Sequence, residues 1–554
     1  MHPKRSSVVR LLALVLVVGW PVAARAQGRA PTHADSLRGA LGPERAWWDV
    51  IFYDLALRLN QADSSLVGSN AIHYRVAAPA RELQIDLMTP LEVDSVVAGG
   101  ARLAFRRDGN AFFVRPAEPQ APGSVGTLTV HYHGRPRVAT NPPWDGGLVW
   151  TRDPRGQPWI SSADQGLGAS VFWPNKDQQA DEPDSMRIRV TVPSTLVEVS
   201  NGRLAGATTN PDGTTTYDWR VRNPINNYGV TVNAGSYVHF GERFDGEAGA
   251  LDLDYWVLAA HLADARRQFV QVQPMLACFE SWFGPYPFYE DGYKLVEAPY
   301  LGMEHQSAVA YGNGFRNGYR GSDLSATGLG LSWDYIIVHE SAHEWWGNSV
   351  TTKDIADMWV HEAFAMYAEG LFVECTQGKE AGARYLMGVR GRILNDEPMV
   401  GPYGVNREGS GDMYFKGANV LHTIRQLVDD DARWREILRG LQATYRHQTV
   451  TSAQIEGYLS RAVGRDLSRI FDQYLRRTKP PTLEYAYADG AVRYRWRADV
   501  DGFDLPVRVA IAPGRWEWIE PTTGSWKTRA AASVADFVVD KSFYVAVAEL
   551  KNAP

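Results

Sequence analysis

In the run IIVHESAHEWWGN, residues 336–348, two histidines stand four residues apart and a glutamate follows the first. Residues at that spacing share one face of a helix, so His339 and His343 would aim imidazole nitrogens at a single ion. A catalytic zinc site needs a third protein ligand and an open position for water. Glu362, in MWVHEAFAMYAEG, offers that ligand after eighteen intervening residues, room for a loop and the start of a returning helix. His361 is a rival, but beside Glu362 in the chain it would point elsewhere once Glu362 faces the metal. Zinc held by two histidines and a glutamate lowers the pKa of water toward neutrality and polarises a carbonyl. Glu340, one residue from a ligand, can reach that water without joining the ligand set, which makes it the natural proton acceptor. The competing interpretation is a buried helix whose histidines are satisfied by neighbours, and the downstream glutamate weighs against it.

Three stretches of different periodicity must position these groups. Residues 46–243 read as a β domain, with alternating runs such as FYDLALRL, GTLTVHYHG and MRIRVTVP separated by turn residues. Residues 244–478 hold the histidines and turn mostly helical, as in ARWREILRGLQATYRH. From 479 to 554 strands return, with Asp489-Gly490 at a hairpin turn in LEYAYADGAVRYRWRA. The expected fold is therefore multidomain α+β: a β-sandwich, a mostly helical catalytic domain and a small β-sandwich-like domain. Residues 27–45 read as a lead-in segment.

The first 26 residues carry a different message. Lys4, Arg5 and Arg10 precede the apolar run LLALVLVVGW, and the stretch ends in the small-residue pattern ARA. This is the form of a secretory signal peptide cleaved after Ala26, and the apolar run is too short for a permanent span. No cysteine follows the cleavage point to carry a lipid anchor. Removing residues 1–26 takes away four positive charges and moves the formal net charge from −6 to −10. An exported, mildly acidic chain has no electrostatic footprint for nucleic acid. The two cysteines, Cys278 and Cys375, sit in helix-like apolar segments and read as separately buried thiols, with a disulfide as the alternative in an oxidising compartment.

VHESAHEWWGNSV followed by DMWVHEAFAMYAEG resembles the gluzincin metallopeptidases of the aminopeptidase N and leukotriene A4 hydrolase family. FGPYPFYEDGYKLVEAPYLGMEHQ resembles the stretch ending in that family's G-x-M-E-N signature, MYFKGANVLHTIRQL its Y-E-K-G segment, and SADQGLGASVFWPNKDQQADEPD the end of its N-terminal β domain. The resemblance implies a saddle-like N-terminal domain, a thermolysin-like catalytic domain, one zinc per chain and peptide substrates with a free N-terminus. It implies that Glu304, with Gly302 in the same GMEH segment, binds the substrate's α-amino group, that Gln165 helps from the β domain, and that Tyr414 donates a hydrogen bond to the developing oxyanion. His305 replaces the family's Asn, which leaves the local pH dependence open because histidine titrates near neutrality. Glu344 and Glu369 match family positions without an assigned role. No long helical domain is read after residue 478, so a more open cleft is expected. Rival functions are a thermolysin-type endopeptidase and a non-catalytic peptide-binding protein on the same fold.

Overall fold

The computed structural model describes residues 30–551 except 80 and 532; the signal-peptide reading of residues 1–26 lies outside them. Helix α1, His33–Gly39, opens the described chain with a capping box between Thr32 and Asp35. An eight-stranded sheet follows, in which Trp48–Asn60 pairs antiparallel with Ser65–Val76 and parallel with Ser185–Pro193. Alternation explains the fit. Tyr53, Leu55, Leu57 and Leu59 are buried on one face while their neighbours are not. Behind this sheet lies a four-stranded one that includes Pro158–Ala163, the strand leading directly into Gln165.

The hairpin Tyr237–Gly246/Gly249–Leu258 pairs onward with Tyr293–Glu297, Val309–Tyr311 and Gly302–Met303 in a five-stranded mixed sheet. The change in periodicity near residue 243 therefore falls inside a strand that already belongs with the helical unit. Four helices of that unit matter most: α2, Val272–Phe283; α3, Tyr335–Ala342; α4, Trp359–Gln377; and α5, Asp412–Val428. Among the described residues no helix is long and apolar enough to cross a membrane.

Asp334 caps α3, accepting from the Ile336 and Ile337 N–H groups, and its carboxylate also receives Gln268, Tyr311 and Asn313. This buried cap ties the start of the histidine helix to the sheet. Helices α4 and α5 touch closely because residue 417 is glycine: a Cβ there would stand 2.5 Å from that of Ala363. That approach brings the first turns of α4 and α5, with Glu362 and Tyr414, to one place. Strands from Thr482–Ala488 to Ala546–Glu549 form a four- and a three-stranded sheet, and their apolar faces continue the core of the helical unit.

Cys278 of α2 and Cys375 of α4 form a disulfide, which corrects the expectation of two separate thiols. Both segments are helical, but their helices pack against each other and bring the Cα atoms to 6.1 Å. The bond spans 97 residues of chain, and in the chain-entropy picture a loop of that size is worth about 4–5 kcal/mol. Cys278→Ser with Cys375→Ser should therefore lower the thermal midpoint by several degrees in calorimetry; an unchanged midpoint would show the staple to be energetically idle.

Candidate active site

The His339 and His343 Nε2 atoms lie 3.4 Å apart, and each is 3.5 Å from Glu362 Oε2. Tautomers follow from their partners. His343 Nδ1 is 2.8 Å from the Trp346 carbonyl, which can only accept, so Nδ1 carries the hydrogen and Nε2 faces inward with its lone pair. His339 Nδ1 is 2.7 Å from Glu369 Oε1, with the same consequence. Glu369 is itself fixed by the Tyr385 hydroxyl, which donates to Oε2 at 2.6 Å. Seven residues after Glu362 on the same helix, Glu369 shares its face, a spacing that in retrospect marks it as the carboxylate that orients His339.

The three inward atoms fit zinc. A tetrahedral ion with bonds of about 2.0–2.1 Å sets its ligand atoms about 3.3–3.4 Å apart, close to the spacing seen. Glu362 Oε2 is buried and has no hydrogen-bond partner among the described residues, as expected of an atom aimed at a cation. Burial opposes ionisation of Glu362, but the facing imidazoles hold its carboxyl well below the usual range. Burial likewise works against a charged His343, yet Glu362 outweighs it and pushes the group up to about 9. Surroundings that draw a proton onto these nitrogens draw a divalent cation as well. Glu340 also lies nearby, within 4.8 Å of both imidazoles. Burial, reinforced by Glu304 and Glu362, pushes its carboxyl up to about 7.

The structure brings the other sequence-predicted residues to the same cleft. Glu304 is buried, and Gln165 Nε2 donates to its Oε1 at 2.6 Å and to Glu362 Oε1 at 3.3 Å. Gly302 is required where it stands, since a Cβ would meet Ile336 at 2.8 Å and Glu340 Oε1 at 3.0 Å. Tyr414 stacks at 6.0 Å over His339; burial, with Glu362 and other carboxylates nearby, keeps its phenol protonated far beyond neutrality. His361 turns away, its Nε2 accepting from the Thr352 N–H at 2.9 Å.

Tyr228 carried no recognisable signal in the sequence, and Glu344 and Asn348 carried no assigned role. The Tyr228 ring stacks on His361, with its hydroxyl 3.5 Å from His361 Nδ1. Asn348 donates to the Glu304 carbonyl at 2.9 Å, and Glu344 accepts the Ser307 N–H at 2.8 Å, so the loop carrying Glu304 is pinned to the end of the histidine helix at two points. His305, whose effect on pH dependence the sequence left open, is held neutral. It is fully buried, 3.8 Å from the equally buried Asp164, and burial pushes it down to about 3.

A donor triangle suited to zinc thus sits on a helical unit that packs against two β-rich units. Residues 272–474 match the peptidase family M1 domain. Aminopeptidase N of Lactococcus lactis subsp. lactis is 28% identical over 171 residues, covering 28% of this chain and 20% of that relative. Aminopeptidase B of Rattus norvegicus is 24% identical over 327 residues, covering 55% and 46%. The chain thus spans from a fifth to just under half of these relatives' lengths. The M1 zinc metallopeptidase of Deinococcus radiodurans has a similar fold, with a TM-score of 0.66 and 23% identity over 78% of this chain and 94% of that one.

Two outcomes are expected. Glu369→Gln should weaken zinc binding about 10–100-fold in competition with a chelator, as loss of a carboxylate behind a ligating histidine does; unchanged affinity would show His339 to be oriented without it. Because His305 is held neutral above about pH 3, His305→Asn should leave the inflections of the activity profile between pH 5 and 9 in place. Disappearance of an inflection near pH 6.5 would show that His305 titrates after all.

Proposed function

We propose that the protein is an exported zinc aminopeptidase that removes residues one at a time from the free N-terminus of peptides. The observation that carries this reading is the place of Glu304: a buried carboxylate joined to Glu362 through one amide, that of Gln165. Burial raises the Glu304 carboxyl above its ordinary range, so the group gains from a cationic partner. An α-ammonium held there lies next to the first peptide carbonyl and no other, which limits cleavage to the terminal bond.

His339, His343 and Glu362 would hold the zinc, which when bound acidifies water and polarises a peptide carbonyl. Glu340 would accept the proton from the attacking water and hand it to the departing amine nitrogen, a task suited to a carboxyl near 7. Tyr414, kept as a neutral phenol, would donate its hydrogen to the substrate carbonyl oxygen as negative charge grows on that atom. The missing Cβ at Gly302 lets this edge strand lie close to Glu340. Export is supported by the form of residues 1–26 and by the Cys278–Cys375 disulfide, a bond that persists in oxidising compartments.

The test compares leucine p-nitroanilide with its N-acetyl counterpart. Acetylation removes the ammonium and leaves Glu304 unpaired, so kcat/KM should fall at least a hundredfold. Efficient cleavage of amine-blocked peptides at internal bonds would leave an endopeptidase instead. Glu340→Gln should retain zinc while kcat falls by roughly 10²–10⁴-fold. Normal turnover in that variant would reassign the base.

A further inference from the structure

We propose that helix α1 belongs to the amine-binding apparatus and that its Arg38 is a positioning residue, holding Gln165 against Glu304. The inference rests on the aminopeptidase reading above and adds to it a segment outside the matched catalytic domain.

Gln165 projects from a tight turn, residues 164–168, closed by the Gly168 N–H donating to the Asp164 carbonyl at 2.6 Å. Gly166 and Gly168 adopt φ of +71° and +101°, conformations that suit glycine. The turn is gripped from both sides. Arg38 Nε donates to the Leu167 carbonyl at 3.1 Å, and Asn406 Nδ2 to the Gly166 carbonyl at 3.1 Å. The Arg38 guanidinium also pairs with Asp177 at 3.1 Å and lies flat against the turn; a Cβ on Gly168 would be 1.6 Å from its Nη2. The other Asp177 oxygen accepts the Ser170 N–H at 2.9 Å, so the chain just beyond the turn is tied to the same ion pair.

Helix α1 is anchored firmly enough to transmit this grip. Buried Arg45 donates to the carbonyls of Arg38 and Ala40 at 3.0 and 2.8 Å and pairs with Asp86 at 2.6 Å. Gln84 donates to the Leu37 carbonyl at 2.9 Å, and the Asn406 N–H donates to the Asp35 carbonyl at 3.0 Å. The helix is thus wedged between the β domain and the loop that leads to Tyr414. Gln165 needs such support. Its amide must stay between two carboxylates on a flexible side chain, and a turn free to rock would let it swing out toward solvent.

Arg38→Ala should raise KM for leucine p-nitroanilide on the order of tenfold, the size of coupling common between contacting groups, with kcat and zinc content within about twofold of the wild type. Arg38→Lys should recover part of the loss. Asn406→Ala, which releases the turn from the other side, should raise KM in the same direction and guards against a folding defect in the first variant; thermal melting is recorded for each. In a Gln165→Ala background, Arg38→Ala should cost little more, because the group it positions is gone. Selective wild-type cleavage of free amines with an unchanged KM in both Arg38→Ala and Asn406→Ala would overturn this inference alone, as would full additivity with Gln165→Ala. Absence of wild-type preference for free amines would remove both readings.

Discussion

Glu304, Glu340, Glu362 and Glu369 are all buried around two imidazoles, and charge taken out of water is costly unless it meets an opposite charge. Two of the four have ready answers inside the protein: Glu369 is spent on His339 and the Tyr385 hydroxyl. Glu362 is stabilised by both histidines yet leaves one oxygen unpartnered. Glu304 and Glu340 are pushed up instead. The cleft is therefore short of positive charge by design of its geometry. In the proposed function a metal ion would correct the deficit at one end and a substrate ammonium at the other.

Holding like charges together requires a frame that does not relax. The Asp334 cap fixes the start of the histidine helix, the α4–α5 approach at Gly417 fixes Glu362 beside Tyr414, and the disulfide fixes the far end of α4 to α2. The cap and the disulfide act more than a turn away from the reacting groups, and the Gly417–Ala363 contact acts directly beside Glu362. The loop bearing Glu304 is then tied to the same helix by Asn348 and Glu344. Rigidity in this enzyme core is assembled from caps, close glycines and a staple rather than from packing alone.

What could be read in the sequence was what local spacing encodes. His339, Glu340 and His343 share one helical face, and Glu362 opens the next long helix, so the donor triangle follows from helix geometry and one return of the chain. Gln165 was reachable through its neighbours in a recognisable segment. The Cys278–Cys375 bond was not, because it joins positions 97 residues apart whose meeting depends on how two helices pack. Tyr228 was invisible for a similar reason: it stands in a short 3₁₀ turn, and its ring meets a partner, His361, 133 positions later in the chain. The state of His305 stayed open because a sequence does not show the burial that keeps this side chain neutral. The strand Tyr237–Gly246 looked like the end of one domain, since alternation reports that a strand exists and not which sheet it joins.

The Gln165–Glu304 contact crosses the seam between the β domain and the catalytic unit. A small cation seated between these two side chains is shared by both bodies, so it acts as a brace across a joint. Any amine that occupies it, including a released amino acid, adds its binding free energy to the cohesion of the joint. Resistance to heat and to proteases would then gauge how often that joint is occupied.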